Sequence, residues 1–371
     1  MLWVTDHLQA KGWHVTYVTV GYSWLSWVGN DKRLATLDKV PQRGTHVISP
    51  SLTGVYGLSP WHPVRSQFQS LNLFLEPFCN LFTAYWAPRL RKLLPSADLV
   101  ICESGAPVLL GQLVAKYAPQ ATRIYRVSDD IRLLNAPDVM LRAEATHHHF
   151  DRISTGSPLI AQRFQDHPNV TLDPMGVPYD QINISTADPY TRTPEGKIAV
   201  CAGSTLLDMQ AILRTARRCP HWQIHVIGRL KTKPPVLPNV TWHGEQPFAK
   251  TLSYIQHADI GLAPFQDVPG VEYQITNSNR ILLYRYCGLP ILAPARLCTP
   301  DIPSLISDSA QDAPARCEAF GRQPEPIPDW SALADALVQN GVTEPPELTS
   351  IAPETTTKPL VNTLPPLASS A

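Results

Sequence analysis

Residues 197–228 read KIAVCAGSTLLDMQAILRTARRCPHWQIHVIG, and their pattern indicates the fold class. The apolar run KIAVCA predicts a buried strand, MQAILRTARR has the apolar spacing of an amphipathic helix, and WQIHVI predicts a second strand. A strand, a helix and a strand within about 30 residues predict a βαβ unit, whose two strands are parallel.

The same alternation occurs on both sides of a turn-rich segment at 172–196. Strands are predicted before it at 13–20, 98–104, 122–129 and 151–157, and after it at 239–245, 259–265 and 289–294. The fold class is therefore α/β, with two Rossmann-like domains facing each other across a cleft. The predicted parts are a first domain at 1–172, a linker at 173–192, a second domain at 193–325, a C-terminal helix packing back at 326–343 and a disordered Pro/Thr/Ser-rich tail at 344–371.

The bulk composition excludes some classes of partner. Lysine plus arginine and aspartate plus glutamate number 31 each, so the net charge gives no case for nucleic acid. The seven cysteines are scattered without a CxxC pair, which indicates free thiols in a reducing compartment. No apolar run reaches the roughly 18 residues of a membrane span, and no signal peptide is recognised. We expect a cytosolic chain that is at most peripheral to a membrane.

Polar loops follow the predicted strands of the second half, at the edge where α/β sheets bind ligands. None has the GxGxxG of a dinucleotide site. Taken singly these loops are ordinary turns. Together they predict a nucleotide–sugar pocket, in which Gly203 and Ser204 approach a phosphate, Glu245 accepts from ribose or base, and Arg280 neutralises a diphosphate. The loops are Gly203–Thr205, Gly228–Arg229, Gly244–Gln246 and 265–280.

The cluster TNSNR at 276–280 opens a short apolar helix. Asparagine and serine are good N-caps, so capping is one interpretation. The other is that the free N–H groups of the helix N-terminus and Arg280 hold a phosphate.

In the first half, Asp129 and Asp130 end a predicted strand. They either cap the next helix or place a general base in the cleft. Glu103 and Ser104 end the neighbouring strand, where they could hold the acceptor, orient that base or act as caps.

Two further motifs are weighed against simpler interpretations. His147, His148 and His149 are consecutive, and on a helix they would point in different directions, so no metal site is predicted. The stretch 71–95 combines leucines and aromatic residues with Arg89, Arg91 and Lys92; it is either a buried helix or a basic, aromatic surface lying on anionic lipid.

Several runs resemble, in order and spacing, the GumK family of glucuronosyltransferases of xanthan assembly. The similarity extends from residue 3 to about residue 340. The runs are VTDHLQAKG (4–12), ESGAPVLLGQLVAKYAPQATRIYRVSDD (103–130), AGSTLLD (202–208), HVIGR (225–229), YIQHADIGLAPF (254–265) and YQITNSNRILLYRYCGLPILAP (273–294).

The resemblance implies a GT-B fold and an inverting, metal-independent transfer of glucuronic acid from UDP-glucuronate, with no cofactor. The implied acceptor is the mannose of a polyprenyl-diphosphate-linked oligosaccharide at the cytoplasmic face of the bacterial inner membrane, where the protein would be peripheral. The family's catalytic aspartate falls on Asp129, with Asp130, Glu103 and Ser104 as acceptor-side candidates. Its nucleotide pocket falls on Thr205, Glu245, Gln246, Phe265, Gln274, Asn277, Ser278, Asn279 and Arg280.

This chain also departs from the family. Thr205 and Gln246 stand where the family has methionines, Phe265 replaces a tyrosine and Arg280 a lysine. These changes keep the diphosphate site and bear on the choice of sugar, so the product could be a related polymer of the acetan type. The family also has one more strand before the helix that contains Thr5. Either the true start lies upstream of Met1, which we favour, or the first domain here lacks its N-terminal strand. Leu283 replaces a glutamine and Pro178 an aspartate.

Two other functions fit the same residues. One is another nucleotide-sugar enzyme of this fold, a hexosyltransferase or an epimerase. The other is a truncated, non-catalytic homologue that binds a nucleotide. A donor screen separates the nucleotide-sugar enzymes from one another, and an epimerase needs no lipid acceptor.

Overall fold

The computed structural model describes residues 2–23, 44–66, 68–194, 196–230 and 234–339. The predicted disordered tail at 344–371 and the last residues of the predicted C-terminal helix lie outside these ranges. Within them, no helix combines the length and the apolar character that crossing a bilayer requires.

The strands of the first half form two sheets. In one, β1 pairs in parallel with β3, which pairs antiparallel with β2. In the other, four parallel strands follow the chain order β4-β5-β6-β7. Among the described residues no ladder joins β1 to β4, so the single sheet expected of a Rossmann-like domain is divided here. The strands are β1 Val15–Thr19, β2 Gly44–Ser49, β3 Leu52–Tyr56, β4 Leu99–Glu103, β5 Thr122–Val127, β6 Arg152–Thr155 and β7 Val170–Leu172.

The second half forms one parallel sheet in the order β10-β9-β8-β11-β12-β13. Strand order reverses beside β8, and ligands of open α/β sheets bind at such a point. The βαβ unit predicted at 197–228 is present, with β8 and β9 paired in parallel from Lys197 and Trp222 to Ala202 and Ile227. The strands are β8 Lys197–Ala202, β9 Trp222–Ile227, β10 Val240–Gly244, β11 Ile260–Leu262, β12 Ile291–Ala293 and β13 Leu305–Ser307.

Helices connect the strands and cover the sheets. Those of the first half are α1 Leu2–Ala10, α2 Gln69–Leu75, α3 Cys79–Leu93, α4 Gly111–Tyr117, α5 Asp138–Ala145, α6 Pro158–Ala161 and α7 Tyr179–Ile182. Those of the second half are α8 Met209–Arg218, α9 Phe248–His257, α10 Gln274–Asn277, α11 Asn279–Tyr286, α12 Ala313–Ala319 and α13 Trp330–Gln339.

The stretch 71–95 divides into two different helices. Helix α3 buries Cys79, Phe82, Trp86 and Leu90, so this half is a core helix. Helix α2 buries none of its residues. The interpretation as a buried helix therefore applies to α3. The interpretation as a surface lying on lipid can apply only to the exposed α2.

Helix α13 lies against the first half of the chain. Its Asp335 accepts a hydrogen bond from His7 of α1 at 2.9 Å. The buried guanidinium of Arg152 donates to the carbonyl of Ala336 at 3.1 Å and to that of Leu337 at 3.1 Å. Arg152 thus donates hydrogen bonds to carbonyl groups in the last turn of the helix, which have no hydrogen-bond donor within the helix itself.

Candidate active site

Asp129 follows β5, and Glu103 ends the neighbouring strand β4, so both lie at the carboxyl edge of the four-stranded sheet. The backbone N–H of Asp129 donates to Ser104 Oγ at 3.1 Å, and Ser128 Oγ donates to Glu103 at 2.9 Å. These bonds hold the two strand ends together. The predicted acceptor-side residues thus position the backbone that carries Asp129.

The carboxylate of Asp129 is partly removed from water. Its pKa is raised from 3.8 to about 6, chiefly by burial and also by the nearby carboxylates of Glu103 and Asp130, while a hydrogen bond from Tyr273 opposes this shift. Tyr273 Oη donates to Asp129 Oδ1 at 3.2 Å. A carboxylate with this pKa is ionised at pH 7 and is a stronger base than an ordinary aspartate, which suits proton abstraction.

Asp130 has a different environment from its neighbour. It is buried and forms ion pairs with Arg132 and with Arg163, the latter at 3.1 Å. Burial acts to raise its pKa, but hydrogen bonds and charge from these two arginines more than compensate, so the pKa is lowered. Arg163 also pairs with the buried Glu144. Asp130 therefore anchors the loop behind Asp129, which favours a positioning role.

The cluster at 276–280 is broken into two helices rather than opening one. Helix α10 ends at Asn277, Ser278 adopts an extended conformation as N-cap, and α11 begins at Asn279. The Ser278 side chain accepts no capping hydrogen bond. The N–H groups of the first turn of α11 thus donate no hydrogen bond to that hydroxyl.

Arg280 lies in this first turn and is almost completely buried. Its Nε donates to the carbonyl of Ala202 at 2.7 Å, and its guanidinium lies 4.7 Å from the ring centroid of Phe265. Its Nη1 is buried without a hydrogen-bond partner. An unsatisfied buried guanidinium N–H at the end of β8 is a donor available to an anion.

Two glycines allow the backbone to pack against this guanidinium. Gly203 has a φ of +100°, and a Cβ there would lie 3.2 Å from Arg280 Nη2. Gly228 has a φ of +143°, and a Cβ there would lie 3.2 Å from the carbonyl carbon of Gly203. Both conformations favour glycine, so the loop after β8 packs closely against Arg280 and the loop after β9 packs closely against Gly203.

The two halves of the chain meet at the predicted pocket. Asn277 Nδ2 donates to the carbonyl of Ser128 at 2.7 Å, beside the contact between Tyr273 and Asp129. Gln274 is buried, and its Nε2 has no hydrogen-bond partner. Residues 273–280 thus reach from the proposed base to Arg280.

The remaining predicted pocket residues lie around this centre with fewer contacts. Ser204 and Thr205 are partly buried after β8, and Glu245 is exposed after β10. Gln246 donates to the carbonyl of His243 at 2.8 Å. These positions share the carboxyl edge of the second sheet with Arg280.

Three residues of the site were not predicted from the sequence: Tyr273, Arg132 and Arg163. Tyr273 stands at the start of the quoted run YQITNSNR but was not considered as a polar group. Its position before the polar cluster was the available signal. Arg163 lies 33 residues from Asp130, and no local pattern reveals such a pair.

Residues 1–155 match the family model of the glucuronosyltransferase GumK N-terminal domain. The chain is 28% identical over 303 residues to a UDP-glucuronate:glycolipid 2-beta-glucuronosyltransferase of Xanthomonas campestris pv. campestris, covering 80% of this chain and 73% of that protein. In sequence the chain is thus similar to GumK. The resemblance seen in the sequence is thereby confirmed.

Solved structures support the fold of this GumK-like chain. The N-terminal domain of a trehalose-6-phosphate phosphatase of Candida albicans has a TM-score of 0.53 at 12% identity, with coverage of 91% of this chain and 88% of that one. An alpha,alpha-trehalose 6-phosphate synthase of Burkholderia multivorans has a TM-score of 0.52 at 10% identity, with coverage of 88% and 94%. At these identities the likeness shows the fold alone, and that fold is the predicted GT-B architecture.

Proposed function

We propose that this GumK-like chain transfers glucuronic acid from UDP-glucuronate to a sugar hydroxyl of a polyprenyl-diphosphate-linked oligosaccharide, with inversion at the anomeric carbon. The observation that carries the proposal is the pair of groups at the junction of the two halves. Asp129 is a carboxylate of raised pKa, and Arg280 is a buried cation with an unused donor.

Asp129 is the proposed general base. It takes the proton of the acceptor hydroxyl while the oxygen attacks the anomeric carbon and the bond to UDP breaks. A single displacement of this kind inverts the anomeric configuration. The hydrogen bond from Tyr273 orients the carboxylate and leaves its second oxygen available to the acceptor. The loop is held by Asp130 and its two arginines.

Arg280 and the N-terminus of α11 are the proposed diphosphate site. Negative charge grows on the leaving UDP during transfer, and donors fixed before the reaction stabilise that charge without reorganisation. The free Nη1 of Arg280 and the first N–H groups of an eight-residue helix are such donors. The remaining pocket residues named above would hold the base and the sugars. The proposal assigns no step to a metal ion or a cofactor.

A lipid-linked acceptor agrees with the surface around α2. Phe68, Leu73 and Phe74 are each about two-thirds exposed, and Leu71 is exposed as well. Exposed Arg91 and Lys92 lie in the last turn of α3. Exposed apolar side chains of a helix suit the interface of a bilayer, and exposed cations of the same half suit anionic lipid. We therefore propose peripheral attachment at the cytoplasmic face of the inner membrane, with a xanthan- or acetan-type glycan as product.

Transfer of labelled glucuronic acid into extracted lipid-linked oligosaccharide tests the proposal. Asp129→Asn should lower turnover by roughly 10²–10⁴, the usual contribution of a general base, while UDP binding is retained. Asp138→Asn is the matched control, because Asp138 is an exposed carboxylate of the same domain.

Other results would identify the alternatives. Transfer from a different nucleotide sugar would make the chain a hexosyltransferase, and conversion of the donor without lipid would make it an epimerase. UDP binding without any turnover would leave a non-catalytic homologue. Equal activity of Asp129→Asn and the unmodified chain would remove Asp129 from the chemistry.

A further inference from the structure

The sequence predicted no metal site at His147–His149, because consecutive residues of a helix point in different directions. Helix α5 ends at Ala145, however, and the three histidines form a separate 3-10 turn. In this turn the ring centroids of His147 and His148 lie only 4.7 Å apart. The assumption behind that expectation therefore does not hold here.

His147 is almost completely buried and has one unused nitrogen. Its Nδ1 lies 3.1 Å from the carbonyl oxygen of Glu144. Since a carbonyl only accepts, Nδ1 carries the hydrogen, and in the neutral ring Nε2 carries a lone pair. That Nε2 is buried and has no hydrogen-bond partner. Metal-binding histidines commonly have this arrangement, in which one nitrogen donates to a carbonyl and the other faces the ion.

Two exposed side chains face the same point. The ligand atoms of His147, His148 and Asp166 all lie within 4.8 Å of one another. His147 Nε2 is 3.3 Å from Asp166 Oδ1. Ligands bound to zinc at about 2.0–2.1 Å in a tetrahedron are roughly 3.3 Å apart, so this pair already has the required spacing.

Neighbouring histidines do not share this property. His167 Nε2 lies 3.0 Å from the carbonyl of Phe150, and its Nδ1 accepts from the N–H of Asn169 at 3.1 Å. Both of its nitrogens are therefore occupied. His149 lies beside Gly111: a Cβ added at Gly111 would be 3.8 Å from the Cβ of His149. His149 does not belong to the cluster of possible ligands.

We propose that His147, His148 and Asp166 bind one divalent transition-metal ion of the zinc type, with water at the remaining position. Two imidazoles and a carboxylate are a ligand set that zinc accepts. His148 and Asp166 are exposed, so their side chains can move the remaining distance without disturbing the core.

The site has a structural role. It joins the turn after α5 to the segment that follows Arg163. The same two segments supply Glu144 and Arg163, which pair with each other, while Arg163 also holds Asp130. A bound ion would therefore fix the ion pairs behind the Asp129 loop without touching the substrate.

Titration of the full chain with Zn²⁺ tests this site. The protein is prepared without a polyhistidine tag and freed of metal, and a chromophoric chelator competes for the ion. We expect one equivalent bound at micromolar affinity or better, together with a higher Tm. Co²⁺ in the same site should give the intense visible absorption of a four-coordinate ion.

His148→Gln and Asp166→Asn should each weaken Zn²⁺ binding at least about tenfold, because each removes a ligand from an exposed position that folding does not need. His149→Gln is the matched control and should bind as the unmodified chain does. Equal affinity in all four proteins, or no bound equivalent in the unmodified one, would overturn the proposal. Transfer activity has no part in this readout, so the proposed function can fail independently.

Discussion

Asp129 is a better base than an ordinary aspartate because its carboxylate is shielded from water. The hydrogen bond from Tyr273 limits the resulting rise in its pKa. Its pKa is about 6, because the rise caused by burial outweighs the opposing effect of the phenol hydrogen bond. Its neighbour Asp130 has the same side chain and a lowered pKa, because two arginines surround it. Environment alone therefore separates the roles of two adjacent aspartates.

Tyr273→Phe should shift the pH dependence of transfer. Removing the phenol takes away the contact that lowers the pKa of Asp129, so that pKa should rise above about 6. The base acts only when deprotonated, and kcat/KM should therefore begin to fall at a higher pH, by up to about one unit. A pH profile of kcat/KM measures this.

Tyr117→Phe is the control for that experiment, since Tyr117 is a partly buried tyrosine of the same domain, in α4. If the profile of Tyr273→Phe overlays that of the unmodified chain, Tyr273 does not act on the base.

Arg280→Lys should weaken UDP binding about 10–100-fold and leave uridine binding unchanged. Lysine keeps the charge but cannot donate to Ala202 while also presenting a planar donor to a phosphate. Loss of one charge-assisted hydrogen bond costs about 1.5–3 kcal/mol, which gives this range. Calorimetry with both ligands separates the diphosphate from the nucleoside.

Arg285→Lys is the matched control. It changes an arginine of the same helix that pairs with Glu325 at 2.9 Å, away from the pocket. A parallel loss of UDP and uridine affinity in Arg280→Lys would indicate general damage to the pocket instead of a diphosphate contact.

Among the secondary-structure elements, the βαβ alternation was predictable from the sequence, whereas some short strands and helix breaks were not. The βαβ unit of β8, α8 and β9 was predictable because apolar runs and helical spacing follow each other without interruption. Strands β7 and β13 have three residues each and no apolar run around them, whereas the equally short β11 and β12 lie within the apolar runs DIGLAPF and LPILAP. The two-helix break at Ser278 also escaped prediction, since asparagine and serine suit either a cap or a helix start.

Helix α2 is the element on which the membrane proposal can be tested. Phe74→Ser and Leu73→Ser should each reduce partitioning onto vesicles of anionic phospholipid by about tenfold, because burial of such a side chain contributes about 1.5–3 kcal/mol. Co-sedimentation with vesicles measures the change. Both side chains are 66% exposed, so neither substitution should lower stability.

Val236→Ser is the control, as Val236 is 91% exposed in the second half of the chain. Equal partitioning of all variants would show that α2 does not meet the lipid.

In the whole molecule, the last described helix packs against the first one. Helix α13 contacts α1 and receives the Arg152 guanidinium on its last carbonyl groups. The sequence predicted a helix here that packs back, but the arginine that holds it lies 184 residues away in β6. Long-range polar partners of this kind have no sequence period and appear only in the structure.

Arg152→Met should lower the free energy of unfolding by several kcal/mol. Each hydrogen bond from a charged donor is worth about 1.5–3 kcal/mol, and the Leu337 carbonyl left without its partner is buried. Denaturant unfolding followed by circular dichroism measures the loss. Arg218→Met, which removes exposed bonds to carbonyls of the second domain, should cost much less. Equal losses in the two variants would contradict a supporting role for Arg152.

Asp129 lies where the two halves of the chain meet through Tyr273, and folding and protonation of Asp129 form one thermodynamic linkage. Asp129 has a pKa of about 6 in the folded protein against an ordinary value of 3.8. Between these two values the folded chain holds more protons than the unfolded chain, and its stability falls as the pH rises through that window. Above this pH window Asp129 is ionised, and the free energy of unfolding is lowered by the poor hydration of its charge. That cost is the thermodynamic counterpart of the basicity that the proposed reaction uses.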